Sequence, residues 1–125
     1  MLKEIHVRAA FYALCVFALT MALLPKPPLL PTAELGDKFQ HVLAFTVLAV
    51  FARLGFGQAP DWLILERMSF GGALIEVFQA IPALHRDCDW RDWVADTLAV
   101  TTVLLILRLV PWRRRALGSG TSAPR

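Results

Sequence analysis

The chain has 125 residues, 57% of them hydrophobic, with a mean hydropathy of +0.55 and a formal net charge of +3. Its apolar residues lie in long blocks without strand-like alternation, which favours membrane-spanning helices over a soluble core or a β-barrel. The basic residues lie mainly at the ends of these blocks. The charge therefore indicates anchoring to anionic membrane lipid and argues against nucleic-acid binding.

The first apolar block, residues 9–24, approaches the length needed to cross a bilayer. An alternative interpretation is a cleaved signal peptide, because basic residues precede the block. Four prolines in the following connector end the first helix and favour an extended segment. Thr32 is the predicted N-cap of the next helix.

Three further apolar blocks are bounded by turn residues, prolines and charges, as expected for helices joined by short connectors. The sequence therefore predicts an all-α fold: a polytopic membrane protein built as a bundle of four transmembrane helices. Residues 1–117 form this domain, and the Gly/Ser/Pro-rich residues 118–125 are a predicted disordered tail. The predicted spans are roughly 9–24, 37–56, 62–81 and 92–110.

The distribution of basic residues predicts the orientation of the four spans. The triple-arginine cluster after the fourth span, residues 113–115, together with Lys3, Arg8 and Arg53, favours a cytoplasmic N-terminus and C-terminus. In the predicted bundle Arg53 extends toward the inner membrane interface. The connectors between spans 1 and 2 and between spans 3 and 4 then share the outer face.

That topology brings polar residues from three spans to one membrane face. Asp37 and His41 are spaced i, i+4 and share a helix face. Asp96 lies about one turn inside the fourth span, where an unpaired carboxylate is unfavourable. We therefore expect it to face the bundle and find a partner, the candidates being Lys38, His41 and Arg86.

This cluster has both a functional and a structural interpretation. His41 is a candidate general base, with Glu76 or Asp92 as the carboxylate that orients it or acts as the acid. The predicted ligand-binding residues are Asp37, Lys38, Gln79, Arg86 and Asp96. Alternatively, the same groups form a polar network that only holds the helices together.

Neither a metal site nor a bound cofactor is predicted. His41, Glu76 and either Asp92 or Asp96 are acceptable metal ligands, but no HxxxH or CxxC spacing supports a site. Gly-rich phosphate loops and nucleophile motifs are also absent from the sequence. Cys15 lies within a predicted span and Cys88 in a predicted loop, so a disulfide between them is not expected.

The order of these residues resembles the motifs of the VanZ-like family. One part is Asp37-Lys-x-x-His41-x-x-x-Phe45. The others are Glu76-x-x-Gln79, a proline, Arg86, and then Asp92-x-x-x-Asp96-Thr-Leu. The resemblance extends over about residues 35 to 105. Asp96 departs from the asparagine of many relatives, and Ala99 from a usual glycine.

The resemblance implies a small multi-span protein of the bacterial inner (plasma) membrane. Its namesake is linked to low-level resistance to the glycopeptide teicoplanin, which connects the family with the envelope and with antibiotic tolerance. That resistance should not be transferred to this chain on the resemblance alone.

The residues, together with what the resemblance implies, leave three functions open. The preferred one is binding of an envelope lipid or a glycopeptide-related ligand at the outer polar site, with membrane lipids as the surrounding partners. The second is a membrane-embedded hydrolase or transferase that uses His41 with a carboxylate. The third is a small proton-coupled transporter in which Glu66 and Glu76 lie along one path. The sequence does not determine the oligomeric state.

Overall fold

A computed structural model describes residues 2–25, 28–31 and 33–110, and within them the fold is all-α. Two short 3₁₀ turns, Ala33–Leu35 and Pro82–Leu84, precede the second and fourth α-helices. The four α-helices are α1 (Leu2–Leu23), α2 (Asp37–Gly55), α3 (Asp61–Gln79) and α4 (Trp90–Leu109). The predicted N-cap at Thr32, the arginines of residues 113–115 and the predicted tail at 118–125 lie outside the described residues.

Helix α1 begins nearly two turns before the predicted first span. Its first residues are polar, yet Arg8 ties this segment to the end of α2. The Arg8 Nε donates to the carbonyl oxygen of Gly55 at 2.6 Å, and its guanidinium lies 5.2 Å from the ring centre of Phe56. The helix therefore continues through the polar residues because they have a partner on α2.

Helix α2 starts abruptly after a backbone reversal at Gly36. This glycine has φ +89°, a conformation that residues with a Cβ rarely adopt, and a Cβ there would meet nothing within 4 Å. Glycine is therefore favoured here by the positive φ of the backbone, and not because a side chain would collide with a neighbour. The reversal lets Asp37 enter the first turn of α2, where its charge favours the helix N-terminus.

Helix α2 lies at the centre of the bundle, with contacts to α1 on one side and α4 on the other, while α3 packs mainly on α4. Gly72 on α3 permits a close approach, because a Cβ there would lie 3.3 Å from the Phe45 ring and 3.4 Å from Trp93. The buried apolar core consists of Phe45, Leu48, Ala49, Ala52, Ile64, Met68, Ile75, Val100, Val103 and Leu104.

Two of the four α-helices described, α1 and α2, are long and apolar enough to cross a membrane. Buried core helices and signal sequences can share these properties, so the finding gives membrane association weak support. Helices α3 and α4 are of similar length but each carries four charged residues. Several of those charges belong to the polar site described below.

The packing brings both predicted outer connectors to one end of the bundle. The Gln79 Nε2 at the end of α3 donates to the carbonyl oxygen of Ala22 at the end of α1, at 3.0 Å. Beside them, His41 near the start of α2 meets Asp96 near the start of α4. The prediction that these distant segments become neighbours is therefore confirmed.

Candidate functional site

The centre of the site is a contact between His41 on α2 and Asp96 on α4. The His41 Nδ1 lies 3.3 Å from the Asp96 Oδ2, and the Asp96 side chain is 1% exposed. A carboxylate on Nδ1 fixes the orientation of the imidazole and leaves Nε2 for a second partner. Asp96 has thus found one of the partners that the sequence predicted.

A second contact joins the same two helices one turn nearer the end of the bundle. The Lys38 Nζ lies 3.7 Å from the Asp92 Oδ1. The Lys38 side chain is 53% exposed, whereas that of Asp92 is 11% exposed. A long, exposed lysine that holds a buried carboxylate at this distance gives a weak ion pair, which another cation or an anionic ligand can rearrange.

Helix α3 contributes Glu76 to the same region. Its Oε2 accepts a hydrogen bond of 3.0 Å from the backbone N–H of Asp89, just before α4. Its Oε1 is buried and has no hydrogen-bond partner among the residues that the structure describes, and the same is true of the Asp96 Oδ1. Buried carboxylate oxygens without partners are unfavourable unless a ligand satisfies them.

The exposed loop before α4 borders this region at Cys88. The pKa of the Cys88 thiol is raised from its ordinary value, first by desolvation and then by the nearby negative charge of Glu76. A raised pKa means that the thiol carries less of the reactive thiolate at neutral pH. Cys88 is exposed, so an added probe can reach it.

Three of these side chains converge closely. His41, Glu76 and Asp92 each offer one ligand atom, and these atoms all lie within 4.8 Å of one another. The name polar cluster is used below for Lys38, His41, Glu76, Asp92 and Asp96. All three residues assigned a catalytic role from the sequence belong to it.

A cavity of about 440 Å³ adjoins the polar cluster. Its wall is mostly apolar and comes from α1, α2 and the intervening connector. Its polar lining residues are Asp37, Gln40, His41 and Arg86. His41 therefore belongs both to the polar cluster and to the wall of a space large enough for part of a ligand.

Gln79 belongs neither to the polar cluster nor to the wall of the cavity. Its side chain is fully buried and its amide is committed to the carbonyl oxygen of Ala22. The contact secures the end of α1 against α3, and Gln79 does not line the cavity. Its predicted ligand-binding role stays a prediction without a contact that favours it.

Sequence reasoning overlooked two features near the site. Gln40 lines the cavity beside His41, and its position within one helical turn of Asp37 was an available signal. A hydrogen-bonded group between α3 and α4 gave no such signal. There Ser69 Oγ lies 2.9 Å from Thr97 Oγ1, and Trp93 Nε1 donates to the Ser69 carbonyl oxygen at 3.0 Å.

The opposite end of the bundle encloses Arg53 in contacts within the protein. The residue is 4% exposed, and its position at a membrane interface stays a prediction. Its guanidinium donates to the carbonyl oxygens of Ala59 at 2.8 Å and Gly57 at 3.2 Å and lies 3.3 Å from the Asp61 Oδ1. The turn between α2 and α3 folds around Arg53 and supplies these acceptors.

Comparisons with protein-family models, curated proteins and solved structures gave no match. The resemblance to the VanZ-like family therefore rests on the motif residues and their order in the sequence.

Proposed function

We propose that the chain is a VanZ-like protein of the bacterial inner membrane, with four spanning helices and the polar cluster at the outer face. Support comes from the apolar surface that the bundle leaves exposed. Helix α1 has no buried residue, and α3 and α4 also carry exposed aliphatic and aromatic side chains. Water is a poor solvent for so much apolar surface on a small protein, whereas lipid tails are a good one. The exposed apolar side chains on these three helices include Tyr12, Val16, Phe17, Phe70, Val77, Leu98, Leu105 and Ile106.

The function that we infer is binding of an anionic envelope lipid, with its phosphate at the polar end and its hydrocarbon chain along the apolar wall. The observation that carries this proposal is the two-sided lining of the cavity. Apolar residues of α1 and α2 form one part, and Asp37, His41 and Arg86 form the other. Such a lining suits an amphipathic molecule better than a wholly polar solute.

The cationic side chains define the chemistry of the headgroup. Arg86 lines the cavity, and Lys38 extends from the adjoining turn of α2 with half of its side chain exposed. Both are donors suited to phosphate, the arginine through its planar guanidinium. Asp37 would accept from a headgroup hydroxyl or amine. A glycopeptide-related ligand stays a prediction, because its larger polar surface does not match the apolar part of the cavity.

Binding of a fluorescent polyprenyl phosphate to the detergent-purified full chain tests the proposal. Arg86→Ala and Lys38→Ala should each weaken binding about tenfold, the loss expected for a charge-assisted contact. Lys3→Ala, at the other end of the bundle, is the matched control and should bind as the wild type does. A polyprenol without phosphate should compete poorly. Equal affinity of the wild type, Arg86→Ala and Lys38→Ala for the phosphate lipid would overturn the proposal.

The four-span topology has its own test in the two cysteines. Cys88 is exposed in the loop before α4, whereas Cys15 lies partly buried in the middle of α1. A membrane-impermeant maleimide added to intact spheroplasts should label Cys88, and Cys15 should require detergent. Labelling of Cys88 from the cytoplasmic side alone would place the polar cluster at the inner face.

The contact between His41 and Asp96 favours a second candidate, an enzyme that hydrolyses or transfers the headgroup. His41 would take a proton from the attacking water or hydroxyl group, with Asp96 orienting the ring. Sequence reasoning gave that orienting role to Glu76 or Asp92. Release of inorganic phosphate from a polyprenyl diphosphate, lost in His41→Ala and kept in His85→Ala, is the expected result. Release that is equal in both variants would exclude His41 as the base.

Among the residues that the structure describes, no contact favours the transporter. Glu66 lies on the exposed surface of α3, whereas Glu76 is buried in the polar cluster. The two carboxylates therefore do not share a buried path within the described bundle.

A further inference from the structure

We infer that His41, Glu76 and Asp92 form a binding site for one divalent transition-metal ion with mixed nitrogen and oxygen ligands, for which Zn²⁺ is the probe. This site goes beyond the lipid proposal and does not depend on it, since the cluster lies within the protein whether or not a lipid binds. The first observation is convergence: one ligand atom from each of the three residues lies within 4.8 Å of the others. Small side-chain adjustments would bring these atoms to bonding distances of about 2.0–2.2 Å from a shared ion.

The second observation is the presence of buried oxygen atoms without partners. Glu76 is 6% exposed, and its Oε1 has no hydrogen-bond partner among the described residues. Its other oxygen already accepts from the backbone N–H of Asp89, which fixes the carboxylate in place. Metal-binding carboxylates commonly have this arrangement, in which one oxygen accepts a hydrogen bond from the protein and the other is available to the metal.

The charge balance points the same way. Glu76, Asp92 and Asp96 bring three buried carboxylates together. Lys38 pairs with one of them at 3.7 Å, and His41 adds a positive charge only when it is protonated. Buried carboxylates that outnumber their cations are unfavourable, and a divalent ion would restore neutrality with Lys38 still in place.

Asp96 has a distinct place in this arrangement. It contacts the Nδ1 of His41, so the proposal assigns metal binding to Nε2. A carboxylate on the second ring nitrogen is the usual support for a metal-binding histidine, because it fixes the ring and increases its basicity. Asp96 is thus a positioning residue and not a ligand.

The mixed donor set also explains why sequence spacing gave no signal. The three ligands come from α2, α3 and α4, each from a different helix. An HxxxH or CxxC motif records two ligands on one local segment, which this site lacks. The imidazole favours Zn²⁺ over Mg²⁺, which prefers a shell made of oxygen.

Calorimetric titration of the metal-free full chain in detergent, without added lipid, tests the site. One Zn²⁺ per chain should bind the wild type, and Mg²⁺ should not compete at equal concentration. Glu76→Gln and His41→Ala should each weaken Zn²⁺ binding about tenfold or more. Asp96→Asn should weaken it by about 10–100-fold, because the neutral amide still accepts from Nδ1 but no longer increases the basicity of the imidazole. His85→Ala removes an exposed imidazole outside the cluster and should bind as the wild type does.

The same titration in Cys88→Ser separates nitrogen and oxygen ligation from binding by the nearby thiol. Unchanged affinity is expected. The proposal would be overturned if Cys88→Ser or His85→Ala lost Zn²⁺ affinity. It would also be overturned if His41→Ala bound Zn²⁺ as tightly as the wild type does, or if the wild type had no stoichiometric site. Helical circular dichroism confirms that each variant is folded. Because lipid is absent, failure of lipid binding leaves this result unaffected.

Discussion

Both ends of the bundle bury charged side chains, but these side chains have different partners at the two ends. At one end Arg53 is enclosed by backbone carbonyl oxygens of the α2–α3 turn and lies beside Asp61. At the other end Glu76 Oε1 and Asp96 Oδ1 are buried without a hydrogen-bond partner among the described residues, next to the cavity that His41 and Arg86 line. Asp61 Oδ1 also lacks a hydrogen bond among those residues, but it lies 3.3 Å from the positive charge of Arg53. The first arrangement stabilises a turn. The second leaves buried acceptor atoms that a bound ligand could satisfy, as expected for a binding site.

The largest effect on stability is expected at the Arg53 end. Arg53→Ala leaves two carbonyl oxygens without their donor and Asp61 without its cation, so the free energy of unfolding should fall by about 3 kcal/mol. Denaturant unfolding in detergent, followed by circular dichroism, measures this change. Arg67→Ala, at an exposed position on α3, is the control and should change stability by less than about 0.5 kcal/mol. A fall for Arg53→Ala no larger than the control's would show that the two ends do not differ.

A smaller effect is expected where α3 approaches α2 and α4. Gly72→Ala places a methyl group against Phe45 and Trp93 at 3.3–3.4 Å and should destabilise the bundle by about 1–2 kcal/mol. Gly71→Ala is a matched control, because nothing lies within 4 Å of its new methyl group. That variant should be more stable by about 0.5–1 kcal/mol through helix propensity. The same unfolding assay compares them, and effects of the same sign would contradict this packing.

The hydrogen-bonded group between α3 and α4 should contribute less. Trp93→Phe retains an aromatic ring but removes the N–H that donates to the Ser69 carbonyl oxygen at 3.0 Å. We expect a loss of about 1 kcal/mol. Trp62→Phe on the exposed surface serves as the control in the same assay. Equal losses in the two variants would mean that the Ser69 contact adds nothing beyond the ring.

The smallest effect on stability, with the opposite sign, belongs to the polar cluster. Asp96→Asn keeps the side-chain shape and an acceptor for His41 while it removes one of three buried negative charges. In the presence of a metal chelator the variant should be equally stable or more stable, by up to about 1 kcal/mol. A loss of more than 2 kcal/mol in the unfolding assay would instead indicate that the cluster holds the helices together, as the structural interpretation has it.

Much of this arrangement follows from local sequence. Apolar blocks separated by prolines and glycines predicted four helices, with every end within about two residues except the start of α1, which lies seven residues earlier. Antiparallel connection brought Lys38 and His41 toward Asp92 and Asp96. Because successive helices joined by short connectors run antiparallel, alternate connectors lie at the same end of the bundle.

The remaining features depend on packing that a single sequence does not encode locally. The burial of Arg53 depends on how a turn folds back to offer carbonyl oxygens. The commitment of Gln79 to Ala22 depends on the position of α1, which is 57 residues away in the chain. The sequence predicted Glu76 and His41 at the same end of the bundle, but the approach of their ligand atoms to within 4.8 Å is set by the rotation of α3, which helical spacing within one segment leaves open.

The most direct measurement is photo-crosslinking of the full chain in lipid nanodiscs with a polyprenyl phosphate that carries a photoreactive group beside the phosphate. Mass spectrometry of the digested protein then locates the label. We expect it within residues 37–41 and 85–92, next to the cavity and the polar cluster. Label concentrated around the Arg53 turn, at residues 57–61, would contradict the assignment of binding to the end that holds the cavity and the polar cluster.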